Sequence, residues 1–89
     1  MGKKKLKNPP VCALWWKDAA YSYGEKLTSA LPPTQLTAGF VMAATDEYVN
    51  IATNVDYDEK DKTIWPIDGF VIPKKAIVEF KRIGPLHGE

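Results

Sequence analysis

The sequence predicts an all-β domain, a small five-stranded SH3-like barrel, and three observations carry that expectation. Short runs of β-branched and aromatic residues recur along the chain. Turn signals built from Pro, Gly, Asp and Lys punctuate them every eight to twelve residues or so, the spacing of a small barrel or sandwich. Helical periodicity is confined to Leu27, Ala30 and Leu31, enough for one or two turns.

The chain opens with MGKKKLKNPP, residues 1–10, in which lysines and two prolines give the backbone little to bury; this reads as a flexible basic arm. Residues 11–84 form the barrel domain, and residues 85–89 are a tail after the Gly84-Pro85 stop. The first strand is Val11 to Trp16, closed by Lys17-Asp18. Ala19 to Pro33 contains Gly24 and ends in Pro32-Pro33, so it is expected to form a long loop with a short helix at most. Thr37 to Thr45 is the second strand, and Gly39 inside it marks a bend or a close backbone approach.

After the Asp46-Glu47 corner, Tyr48 to Val55 alternates cleanly, with Val49, Ile51, Thr53 and Val55 on one face. DYDEKDK, from Asp56, is a charged connection. Its acidic spacing lacks the glycine and the terminal glutamate of a calcium loop. The fourth strand, Thr63 to Ile72, is interrupted by Pro66 and by Asp68-Gly69, a pair that reads as a turn. Pro73-Lys74-Lys75 supplies one tight turn before the last strand, Ile77 to Ile83. Closing these strands into a barrel would remove the sheet edges that otherwise pair with neighbouring chains.

Composition narrows the function. Eighty-nine residues leave room for one domain and none for a cofactor domain beside it, so no cofactor is expected. Hydrophobic residues at 45% and charged residues at 26% fit a folded soluble chain. The net charge is +1, yet Lys3, Lys4, Lys5 and Lys7 hold a third of the basic groups. Residues 8–89 carry eight basic against eleven acidic side chains, a body near −3. Nucleic-acid affinity through phosphate contacts needs a basic face, and only the arm is basic. One cysteine, Cys12, excludes an internal disulfide, and Cys12 with His87 is too small a set for zinc. His87 is the only histidine and lies near the end, so a Cys12/His87 dyad would require the tail to fold back onto the first strand. A non-enzymatic protein is expected. Neither a secretory leader nor an apolar span of about 20 residues can be drawn, which points to the cytoplasm and away from a membrane.

Gly39 to Val55, GFVMAATDEYVNIATNV, resembles the first sequence motif of Sm-like proteins, with Asp46-Glu47-Tyr48-Val49-Asn50-Ile51 as the matching core. The likeness spans residues 36–83. It implies a strongly bent barrel and a ring-forming homo-oligomer in which Tyr48 stacks a base, Asn50 bonds its edge and Asp46 orients the loop. Single-stranded RNA or a small nucleotide would be the ligand of such a ring. In place of the family's Arg-Gly or Lys-His element stands Pro73-Lys74-Lys75, so Lys74 or Lys75 would have to supply the missing contact. About twenty residues replace the usual short first hairpin, and the Gly-to-Asp spacing is one residue longer. The Trp-Lys-Asp opening and Ile-Pro-Lys close also look like small proteins of bacteriophage and prophage genomes.

The same residues fit plainer roles: Asp46 in an Asx turn, Tyr48 and Asn50 on a solvated strand face, the lysines at a solvated corner. Trp15-Trp16 sends two rings to opposite faces of one strand, so one fills the barrel and the other needs cover. That cover is either the Ala19 to Pro33 loop or a partner. Trp15, Trp16 and Trp65 are therefore the interface candidates, for a second copy or another protein.

Overall fold

The computed structural model describes residues 5–17 and 33–87. The segment expected to form a long loop or short helix lies outside the described residues. Five antiparallel strands form one sheet: β1 (Pro10–Lys17), β2 (Thr34–Ala44), β3 (Tyr48–Asp58), β4 (Thr63–Pro73) and β5 (Ile77–Pro85). Their order across the sheet is β4-β3-β2-β1-β5, so β4 and β5 are its edges. A single 3-10 turn, Lys74–Ala76, joins the two edge strands. The all-β expectation holds, and the strands form a barrel-like curl.

Side chains directly opposite in antiparallel strands share a face, so the register defines the interior. Val41, Ile51 and Phe70 form one row across β2, β3 and β4. Thr37, Leu14 and Phe80 form another across β2, β1 and β5. Leu14, Trp16, Val49, Ile51 and Ile72 make the buried cluster, with Val41, Ala76 and Ile77 packed against it. The Trp16 indole N–H donates to Thr37 Oγ1 at 3.0 Å, which satisfies the one buried polar side chain of the core.

Curvature is visible in one contact. Three strand spacings of about 4.8 Å would separate β1 from β4 in a flat sheet by about 14 Å. The Trp16 and Phe70 rings nevertheless lie with centroids 6.1 Å apart. Two glycines permit the bend. A Cβ on Gly39 would overlap the Ala52 carbonyl, and one on Gly69 would overlap the Ile51 carbonyl. Strands β2 and β4 thus press on β3 from both sides at the same level. Gly39 makes the close approach its position in the sequence implied.

Other expectations are corrected. The sheet is not closed, because β4 and β5 do not pair with each other. The curl is held by side chains across the interior and by a backbone bridge from Leu6 to Ile64, and among the described residues edges that closure would have removed remain. Asp68-Gly69 is no turn: Gly69 pairs with Ala52 inside β4, and bulges at Ala52/Asn54 and Asn54/Val55 absorb the irregularity. Those bulges also end the alternation expected through Val55. Strand β3 runs on to Asp58, so only the tip of the charged segment is a connection. There Asp58 Oδ1 accepts from the backbone of Lys60 and Asp61 at 3.0 and 3.1 Å, an Asx turn. Lys62 completes the turn at φ 58°, a left-handed conformation that usually falls to Gly or Asn.

Part of the basic arm is built into the structure. Leu6 exchanges both backbone hydrogen bonds with Ile64 of β4, at 3.1 and 2.8 Å. Leu86 N–H donates to Pro9 O at 3.2 Å and His87 N–H to Asn8 Oδ1 at 2.8 Å. The chain on either side of the β1/β5 pair thereby reaches across to β4.

Candidate functional site

Tyr48, Asn50, Lys74 and Lys75 converge at one end of the sheet because two turns dock there. Thr45 and Tyr48 close the β2–β3 hairpin, with Thr45 N–H donating to Tyr48 O at 2.9 Å. Thr45 Oγ1 accepts from the backbone N–H groups of Glu47 and Tyr48 at 3.1 and 3.2 Å. The turn is therefore organised by the Thr45 hydroxyl, in the role expected of the Asp46 carboxylate. Asp46 itself is exposed. The 3-10 turn joins through Lys74 N–H, which donates to Glu47 O at 2.8 Å.

The side chains then diverge. Tyr48 and Asn50 are half-buried on the outer face, opposite Pro73 and Val71. Asn50 borders a shallow hollow of about 180 Å³ with Pro66, Asp68, Gly69 and Val71. Lys74 stands instead at an inner-face groove of about 370 Å³ lined by Leu14, Val41, Val49, Ile77 and Phe80. Lys75 is exposed on the turn. Within a single copy the tyrosine and asparagine share one surface, while Lys74 borders another.

The three tryptophans separate in the same way. Trp16 is a core residue, hydrogen-bonded and stacked obliquely on Phe70, with its ring enclosed by its own chain. This corrects its assignment as an interface residue. Trp15 is half-buried on the opposite face, between Leu36 and Glu79 in register. Trp65, opposite Asp56, is 38% exposed beside Tyr57, at a hollow of about 410 Å³ that Lys5 and Asp58 also border.

Sequence reading missed the apolar groups on the edges. Val71 of β4 is 63% exposed, and Val78 and Ile83 of β5 are each 62% exposed. A signal existed: Phe70-Val71-Ile72 and Ile77-Val78 are runs of adjacent apolar residues. On a strand one of each pair must point away from the core, unless a bulge intervenes. Phe70 and Phe80, which face inward, also remain about half exposed where the curl stays open.

Cys12 is fully buried, with Gly39 and Arg82 as its register partners. Burial pushes its thiol pKa up, and the Arg82 guanidinium offsets only part of this, so the group stays protonated and poorly nucleophilic. His87 is engaged elsewhere, its ring 6.1 Å from that of Tyr57. Among the described residues no group of three or more His, Cys, Asp or Glu is placed to hold a metal ion. No helix among them is long and apolar enough to cross a membrane. Comparison of the chain with protein-family models, curated proteins and solved structures finds no match.

Proposed function

We propose that the protein is a non-catalytic interaction module that self-associates by strand pairing, the β4 edge of one copy against the β5 edge of the next. The observation that carries this reading is the pair of open edges. Each leaves backbone donors and acceptors unpaired by the other, and each presents a β-branched side chain more than 60% exposed. Such edges are templates for another strand unless charge, proline or a covering element blunts them. Charge favours unlike edges: β4 carries Asp68, whereas β5 carries Lys81 and Arg82 with Glu79. A contact between unlike edges is directional, so it builds a ring where the rotation closes and a filament where it does not. The likeness to Sm-like proteins and to small phage proteins supports a bacterial or phage module that binds a macromolecular partner once assembled. The buried Cys12, whose thiol pKa burial raises, supports a role without catalysis.

Light scattering and sedimentation at high micromolar concentration test this. The parent chain is expected to associate, and Val71→Lys or Val78→Lys to leave a folded monomer. A monomeric parent removes the reading.

The half-exposed Tyr48 and Asn50, which share one outer-face surface, support a second reading, in which the assembly binds single-stranded RNA or a small nucleotide through them. Repetition around a ring would multiply a weak single site. Fluorescence titration with short oligonucleotides and nucleotides at two salt concentrations, beside Tyr48→Ala and Asn50→Ala, decides it. Equal and negligible responses from all three chains exclude nucleotide binding.

A further inference from the structure

The edge of β4 already holds a guest. Antiparallel residues direct N–H and C=O to the same side, and Ile64 sends both to Leu6, on the side away from Tyr57. Leu6 therefore occupies the backbone groups that an incoming strand would use at this position. The arm is anchored behind this contact by the Leu86-to-Pro9 and His87-to-Asn8 hydrogen bonds and by the His87 ring against Tyr57. Ahead of it, Lys5 Nζ lies 4.0 Å from Asp58 Oδ2, an exposed pair that contributes little. Leu6 is thus held from one side by ordered chain and from the other by a contact that yields easily.

Length makes this occupancy matter. Beyond the arm, Pro66 and Pro73 lack N–H groups, leaving Ile67–Ile72 as the six-residue stretch without a missing donor, in which alternate residues turn their N–H and C=O to the edge. Strand β5, the proposed visitor, has nine residues. It outruns that stretch, and full pairing extends to the position Leu6 holds. We propose that the N-terminal arm is a built-in competitor for the β4 edge, one that must release Ile64 before a second copy's strand can pair along the full length of β4. The proposal rests on the reading of β4 as the receiving edge and names what regulates it. The arm shortens the receiving edge in the single chain and weakens assembly until displaced.

The test compares the parent chain with Leu6→Pro, which lacks the N–H donated to Ile64 O, and with Lys5→Glu, which sets like charge against Asp58. Sedimentation velocity over a concentration series is the readout, with far-UV circular dichroism reporting the fold. Losing about one net hydrogen bond of competition should lower the concentration at half-association about fivefold in Leu6→Pro. Lys5→Glu should shift it the same way by a smaller factor, and it carries the test alone if Leu6→Pro does not fold. Unchanged or weaker association in the folded variants overturns the competitor role while leaving edge pairing intact. Parent and variants that all remain monomeric overturn the edge reading, and with it this one.

Discussion

Around Ile51 the sheet is sealed, with Ile51, Ala52, Leu14 and Ile72 almost wholly withdrawn from solvent. On the two edge strands, Val71 of β4 and Val78 of β5 stand mostly in water. Both regions are built from the same residue types on strands of similar length. What differs is the face: Ile72 is sealed although it lies on the edge strand β4, while its neighbour Val71 lies on the outer face opposite Asn50. Val78, at the bulge of β5 and without a register partner on β1, is likewise exposed. An apolar residue therefore contributes to folding where it turns into the curl and remains available to a partner where it turns out.

That contrast can be broken at its centre first. Ile51→Ala leaves a cavity where no neighbour can collapse and should lower unfolding stability by about 2–5 kcal/mol in urea denaturation. Gly39→Ala forces β2 away from the Ala52 carbonyl and should cost about 1–3 kcal/mol by the same measurement. A loss as small as that of an exposed strand glycine would show that the close approach is not needed.

Cys12 probes the sealed region through pH. Its folded pKa lies above the ordinary thiol value, so the neutral thiol's contribution is fully present below the ordinary range and is lost as pH rises through the raised value. Denaturation midpoints measured on the alkaline side should fall more steeply for the parent than for Cys12→Val, and parallel curves would contradict this. At the edges, Val71→Lys and Val78→Lys should change the monomer's stability by no more than about 0.5 kcal/mol even where they abolish association. The hairpin tip offers a small gain instead of a loss. Lys62→Gly should raise the thermal midpoint slightly, by relief of about 0.5–1 kcal/mol of left-handed strain.

Much of the strand order was legible because short β-favouring runs and turn residues are local signals. Val49 and Ile51 were placed inward by alternation, and they are buried. Alternation failed at Asn54 and Val55 because bulges insert residues against the partner strand, and a bulge depends on what lies opposite. Asp68-Gly69 misled for a related reason. The pair is favourable in a turn, but here Gly69 serves the approach of β4 to the Ile51 carbonyl. Among the candidate site residues, the Lys74 turn was set beside Tyr48 only by the likeness to Sm-like proteins; its backbone docks onto Glu47, while the Lys74 side chain borders the inner groove. The takeover of the β2–β3 turn by Thr45 was not legible, since a threonine and an aspartate one position apart can each cap it.

The amino-acid order by itself determined an all-β chain and its five extended segments, because backbone preference and alternation act over a few residues. Only the tertiary structure decided that the curl stays open, that Trp16 is interior while Val71 and Val78 face solvent, and that Leu6 lies along β4. Each of these depends on which strand, if any, lies alongside, and that is settled by contacts between residues far apart in the chain.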